Sequence, residues 1–574
     1  MKEQSIETKS RLERFAALYS SAMLSAEANR ERLLRHMNQY LGSDEIDGSS
    51  ERAGVVRNIT YEIIESEINA DIPVPKVDTS CYSAEREQNA RAIERLSSAL
   101  RSRLPFEELN DRDERYTYIY GGSVFYVEWD SSQVDNAGEG GVKVHLLSPL
   151  DFIPQPSIEA VEDMEYCFLR FTTTRGELMS KYGADEKDLA LAECEYLADI
   201  DDPLSDAVAL VIAFYKDENS RVGKFVFSGE LCLLDLPDYY RRKARICTNC
   251  GKEAGLCSCE SPRHKLVDLE TERVKLPDGK TVEIPYYIPK SFPIIIRKNT
   301  ISDMTLLGGS DCERIRPQQQ AINKVESRIL QKLLRAGVTP IMPEGTAITL
   351  SNSVFGQIIK TRPGESIDSY GKIDTTPDIS QDIEEADRLY DQAKRVLGIS
   401  DALQGLDTTT SESGYARELK ISRSASRLET KKRMKHLAYC RLYELIFKHY
   451  LAFADEPRRF AYRDTFGRMH FSEFNRYDFI EYDNRGYHYD DSYLFTVDNN
   501  ADAEYQSESI WEINLTNLER GTLGDKNSPT TLLRYWQLQD KAHFPYAREN
   551  VEYFQDLINR ENKNQSTESE NLYE

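Results

Sequence analysis

The feature that most constrains this chain is the stretch Ser413–Ala454, "SGYARELKISRSASRLETKKRMKHLAYCRLYELIFKHYLAFA". After Gly414 it contains neither proline nor glycine until Pro457 breaks the pattern. Read as one helix it is roughly 60 Å long at about 1.5 Å per residue, twice the width of a small domain. No single small core covers such a helix. At 574 residues and 66.0 kDa the chain is long enough for several cores, and roughly two to four domains are expected. Directly before the helix stands "ALQGLDTTTS", Ala402–Ser411, which is small, hydroxylated and flexible.

The order of segments upstream is unusual. A first helix is expected over 311–337, where Ile322, Val325, Ile329 and Leu333 form one stripe, with Pro317 near its start and Gly337 as its stop. Residues 338–378 are rich in proline, glycine and β-branched side chains, which excludes helix. A second helix follows over 379–398, with acidic residues at its N-terminal end, where the helix dipole favours them. Before all of this the period changes along the chain. Helical spacing holds over residues 1 to about 45, Ser83–Leu104 and "FEELNDRDERYTYIY"; strands are expected in "GGSVFYVEWD", "GVKVHLLSPLDFIPQP" and "AVALVIAFYKDENSRVGKFVFSG". Residues after 455 return to strands and then to short helices, and the polar tail 561–574 is expected to be disordered.

Composition narrows the function. Hydrophobic residues make up 40% and aromatics 10%, which argues against general disorder. No apolar run approaches the roughly 20 residues of a membrane span, and the N-terminus "MKEQSIETKSRLERF" is charged, so a soluble, cytoplasmic-type product is expected. The formal charge of −24 is a poor match for a polyanion, since DNA affinity comes largely from cations that displace counterions. Residues 411–453 depart from this, with 10 Lys/Arg against 4 Glu. There is no GxxxxGK[ST] loop, HExxH or GxSxG, so no enzyme class is indicated and the chain is expected not to be an enzyme.

One cluster carries chemistry. "CTNCGKEAGLCSC" sets Cys247, Cys250, Cys257 and Cys259 in a C-x2-C-x6-C-x-C array. Four thiolates from two knuckles close a tetrahedral zinc shell with no position open for water, so a structural zinc is expected. His264 is an alternative ligand. The other six cysteines are scattered and read as reduced thiols.

The segment order, with "GGSVFYVEWD", "LSPLDFIPQP", "LLGGSDCERIRPQQQAINKVESRIL" and "VLGISDALQGLDTTTSESGYARELK", resembles the portal proteins of tailed bacteriophages, the rings through which DNA enters and leaves the capsid. The resemblance covers about 80–560 as order and texture. It implies an α+β multidomain chain with N-terminal helices and an α/β wing over 1–310, carrying a cysteine hairpin (243–265) that is not part of the family pattern. Stem helices at 311–337 and 379–398 would flank a small mixed clip at 338–378. A channel loop at 399–412, a long helix at 413–454, wing strands at 455–500 and a helical crown at 501–560 would follow. It further implies a homo-oligomeric ring of twelve subunits at one capsid vertex. Partners would be the double-stranded DNA passing through, the terminase packaging ATPase, the head-tail adaptor, and capsid and scaffold proteins, with no membrane. The protein would be found in the virion, and in host cytoplasm during assembly.

On this resemblance Gln404, Asp407, Thr408, Thr409, Thr410 and Ser411 line the narrowest part of the channel. Short, weakly interacting side chains there let the duplex pass, whereas lysine or arginine contacts to phosphate would hold it. Arg417, Lys420, Arg427, Lys431 and Lys435 lie at three- and four-residue spacing and are expected to form a positive stripe. That stripe would meet the acidic helix "DIEEADRLYD" of the same or a neighbouring subunit, or would face DNA. The competing reading is a zinc-containing nucleic-acid-binding factor that uses the cysteine hairpin and the basic helix 413–454.

Overall fold

The computed structural model describes residues 6–43, 56–79, 83–135, 138–194, 206–248, 264–275, 279–302, 305–335, 338–341, 351–353, 356–358, 371–374, 377–399, 414–463, 469–484, 486–497, 511, 513–541, 547, 550–551 and 553–558. The fold is mixed α+β, with several small antiparallel sheets. Among the described residues no helix is long and apolar enough to cross a membrane.

Alternation along the strands sorts the first half of the chain into two principal sheets. The larger has five strands, in the order Phe152–Pro154, Tyr166–Thr174, Ala207–Lys216, Val222–Ser228 and Leu231–Leu236. Both of its faces are covered, which is why Val222–Ser228 is buried at every position. One face, carrying Phe168, Val211, Ala213, Phe225 and Phe227, packs on the helix α1 (Ile6–Leu41) through Leu12, Phe15 and Ala22. The other, carrying Leu169, Ile212, Phe214 and Val226, joins a core shared with the second sheet.

That second sheet runs in the order Ile294–Lys298, Gly122–Asp135, Gly138–Leu147. Its central strand points Val124 and Tyr126 to the first core, and Phe125 and Val127 to another. The helices α2 (Ile59–Glu67), α3 (Ala84–Arg103) and α4 (Phe106–Tyr120) pack around it. Gly121 joins α4 to the central strand at φ +91°, a left-handed conformation, and its missing side chain admits the carbonyl of Gly308. A short helix α5 (Arg175–Tyr182) is capped by Thr174 and closed by Gly183.

The second half is built on three helices: α6 (Asp311–Arg335), α7 (Ser380–Leu397) and α8 (Gly414–Phe453). Helices α6 and α7 run antiparallel, since Ile322 near the start of one meets Ala393 and Leu397 at the end of the other, while Val325 and Ile329 meet Ala386. Helix α6 begins at Asp311, so Pro317 falls in its second turn rather than its first. Between α6 and α7 the chain makes two short antiparallel strand pairs, Val338–Ile341 with Gly371–Asp374 and Ser351–Ser353 with Gly356–Ile358. The 40-residue α8 starts and ends within one residue of the expected limits. After it come strands within Arg458–Val497, one of which, Tyr493–Val497, returns to pair with Pro75–Thr79, and then a helix at Pro529–Lys541.

Candidate functional site

The site is the root of α8, where it leaves the core toward the segment 400–413. Every fourth residue on one face of α8 reads Lys431, Lys435, Tyr439, Tyr443, Phe447. Side chains four apart lie on one line of a helix, so a row that is aromatic and buried at one end carries its lysines inward at the other. Tyr439, Tyr443 and Phe447 are in the core against Phe106 and Phe125, and Lys431 and Lys435 are buried beside them, 7% and 2% exposed.

A buried ammonium requires partners, and the surrounding elements supply them. The Nζ of Lys431 lies 2.6 Å from Oε2 of Glu67, the last residue of α2, and 2.7 Å from Oδ2 of Asp311, the first residue of α6. It also sits 4.9 Å from the centre of the Tyr118 ring. The Nζ of Lys435 lies 3.0 Å from Oε1 of Glu114 on α4, and donates to the carbonyls of Asn69 at 3.2 Å and Asp71 at 2.5 Å. The same Glu114 oxygen is 2.8 Å from Arg297, which also pairs with Asp113, and Asp113 accepts from Ser123. Asn299 donates to Asp311 at 3.1 Å, and the partly exposed Arg314 approaches it at 3.6 Å. Lys431 with Glu67 and Asp311, and one turn along α8 Lys435 and Arg297 with Glu114 and Asp113, form a lattice of two neighbouring ion-paired groups that ties α2, α4, α6, α8 and the strand Ile294–Lys298 together.

Charge is not balanced within the buried part, where three cations meet four carboxylates. Burial, reinforced by Asp311, pushes the Glu67 carboxyl up to about 8, and Lys431 does not offset it. Burial also raises Asp113, despite Arg297. It works the same way on Glu114, but Arg297 and Lys435 outweigh it and hold that carboxyl below its ordinary value. Burial disfavours the charged form of Lys431, yet Asp311 and Glu67 together raise its proton affinity. Lys435 is lowered by burial, with only Glu114 as a close carboxylate. The lattice turns its charges inward, so what it provides is mechanical: a fixed root for the long helix.

This corrects the expectation for the basic stripe. Lys431 and Lys435 neither face DNA nor meet the acidic helix; burial inside one chain already removes them from any surface. The acidic residues of α7 find other partners: Asp382 meets Arg328 at 2.9 Å and Lys332 at 2.5 Å on α6, and Asp387 meets Arg57 at 3.5 Å. Arg417, Lys420 and Arg427 lie on the helical part of α8 whose side chains are outside the description. Gln404, Asp407, Thr408, Thr409, Thr410 and Ser411 also lie outside the described residues.

Of the four cysteines, Cys250, Cys257 and Cys259 lie outside the described residues, while Cys247 is buried at the end of the strand Lys243–Cys247. That strand pairs antiparallel with His264–Asp268, in a register that sets Cys247 opposite His264. The ladder joins the two ends of the segment 248–263, with Cys247 and His264 opposite each other in register. Cys247 is shielded from water, and thiolate sulfur is the donor chemistry of a structural zinc.

The residues that reasoning from sequence missed are Glu67, Asp113, Glu114, Arg297 and Asp311. They come from four separate segments, and the one local signal was the continuation of the lysine row into Tyr439, Tyr443 and Phe447. Compared with protein-family models and with curated proteins, the chain finds no match.

Proposed function

We propose that this protein is a portal: a ring-forming, non-catalytic channel subunit at a capsid vertex through which double-stranded DNA is packaged and ejected. The observation that carries the reading is the succession of α6, a strand-built excursion, an antiparallel α7, the hydroxyl-rich segment 400–413 and the 40-residue α8. A helix pair projecting a small strand unit supplies a stem and a clip, where the packaging ATPase and the head-tail adaptor would dock. The buried lattice supports the same reading, because a channel segment that must yield to passing DNA needs a rigid root behind it. The net charge of −24 adds to it: acidic walls repel the duplex toward the ring axis. Double-stranded DNA is then a passenger read without sequence specificity, and the virion is the place of residence. The nucleic-acid-factor reading loses ground, since two of the five stripe cations are buried in ion pairs.

Electron microscopy of the purified protein tests the proposal. The expected result is a closed ring with a central pore in axial class averages, about 790 kDa for twelve chains of 66.0 kDa. A compact particle without a hole at every concentration would overturn it.

A further inference from the structure

Among the described residues, the strand Gly138–Leu147 is the edge of its three-stranded sheet. One hydrogen bond decides which of its backbone groups face outward. The N–H of Val127, on the central strand, donates to the carbonyl of Pro293 at 2.9 Å. Val127 therefore bonds away from Gly138–Leu147, and its neighbours Tyr126 and Glu128 bond toward it. Their cross-strand partners, His145 and Lys143, turn their N–H and C=O inward, so Val142 and Val144 turn theirs outward. Both valines are buried, and a buried backbone polar group requires a partner. Among the described residues none supplies one on that side.

What this edge meets is a cavity of about 400 Å³, within the range of about 300–1,000 Å³ that bound groups occupy. Gly140 to His145 line it in unbroken succession. Neighbouring side chains of a strand point to opposite faces, so a cavity that touches all six residues runs along the edge. The end of α3 and the strand Arg458–Arg463 line it as well, and Leu96, Leu100, Tyr450 and Phe460 give it an apolar wall. Its charged lining is of one sign: Arg103, Lys143, Arg458 and Arg459, with no aspartate or glutamate among the described residues. Lys143 is held by Asp130 at 2.7 Å and Arg459 by Glu473 at 3.1 Å, and neither carboxylate lines the cavity. Arg458 is buried, lies over the Trp129 ring and donates to the carbonyl of Gly140 at 3.3 Å, in the place an added strand's N–H would take.

We propose that an extended acidic segment of a partner protein adds as a strand to this edge, its main chain bonded to Val142 and Val144 and its carboxylates met by Arg103, Arg458 and Arg459. Strand addition supplies the partners that the outward backbone groups need, and the one-signed lining fixes the charge of the segment. The inference goes beyond the channel reading and does not rest on it.

The test uses the full chain and a short synthetic peptide that alternates valine with glutamate. In the protein alone, hydrogen exchange resolved to single amides should find Val142 and Val144 exchanging faster than Lys143 and His145; bound peptide should slow both valines at least about tenfold. Fluorescence anisotropy of the labelled peptide should show saturable binding. That binding should be lost when the peptide's amides are N-methylated, and weakened at least about tenfold when lysine replaces its glutamate. Arg103→Glu with Arg459→Glu, both at exposed positions, should reverse the charge preference, and binding of the lysine peptide by this variant also shows that it is folded. No saturable binding, equal binding of the N-methylated or the lysine peptide, or slowing confined to other segments would overturn the proposal. So would valine amides already as protected as those of Lys143 and His145 without peptide, since this chain or a second copy then fills the edge.

Discussion

Glu67→Gln is the sharpest probe of the buried lattice. Glu67 ends α2 with its side chain fully buried, 2.6 Å from the ammonium of Lys431 and near Asp311. Burial and that neighbouring carboxylate raise it from the usual 4.5 to about 8, so the folded protein holds a proton there that the unfolded chain releases. The sign follows from this. Stability from this group is full below pH 4.5, falls as pH rises toward 8 and is level above it. Each tenfold change in proton affinity is worth about 1.4 kcal/mol, so the stabilisation withdrawn by pH 8 is on the order of 4 to 5 kcal/mol, a ceiling that relaxation around the charge reduces. Glutamine has the shape of the protonated acid, keeps an acceptor oxygen for Lys431 and cannot ionise. The variant should therefore gain about 1–3 kcal/mol over the natural protein at pH 8 and differ by less than about 1 kcal/mol at pH 5.

A chain with several cores does not unfold in one step, so a local measurement is needed. Amide hydrogen exchange by mass spectrometry, followed in peptides covering 59–67 and 431–440 from pH 5 to 9, reports the opening of the lattice itself. Protection in the natural protein should weaken with pH once intrinsic exchange is corrected for, and the variant should flatten that trend. A variant that opens more readily than the natural protein at pH 8 would refute the claim that Glu67 carries the excess charge.

Lys435→Met leaves Glu114 with Arg297 as its one close cation, beside the Asn69 N–H, and strips a donor from the carbonyls of Asn69 and Asp71; exchange around 431–440 should show a loss of about 3–5 kcal/mol, whereas Lys432→Met at an exposed position should cost under about 0.5. Gly121→Ala adds a methyl group against the carbonyl of Gly308 at φ +91°, and should lower the thermal midpoint clearly more than Gly183→Ala, where φ is +67° but no atom lies within 4 Å. Elemental analysis of protein purified without added metal should give about one zinc per chain, and Cys257→Ser should abolish it; a value near zero in reduced protein would remove the metal site.

Much of the fold was legible because its signals are local. The limits of α7 and α8 followed from Gly398, Pro457 and unbroken helical spacing, and the strand-built excursion from its prolines and glycines. The lattice was not legible in the same way. Lys431 and Lys435 look like any solvated pair until Glu67, Glu114 and Asp311 arrive from places 364, 321 and 120 residues away. Charge counting along one helix assigns a cation to the surface by default, and only tertiary contact overrides that default. The hairpin at the cysteines lay between these cases: its C-x2-C knuckle is local, but the pairing of Cys247 with His264 depends on two strands that neither end specifies alone.

The burial of Lys431 has a mechanical consequence that does not depend on how many copies assemble. Its two carboxylate partners belong to different bodies: Glu67 ends a helix of the N-terminal half, and Asp311 begins the antiparallel pair of α6 and α7. The C-terminal half of α8 is locked in the core by Tyr439, Leu442, Tyr443, Ile446 and Phe447. A displacement of α6 must then either carry the root of α8 with it or separate Asp311 from Lys431. Separation would strand one buried charge and cost on the order of 3–5 kcal/mol. Moving together is cheaper wherever the surrounding apolar contacts can slide by less than a rotamer change. Motion at the α6–α7 pair is therefore delivered to α8 at Lys431, 17 residues along the helix from Gly414.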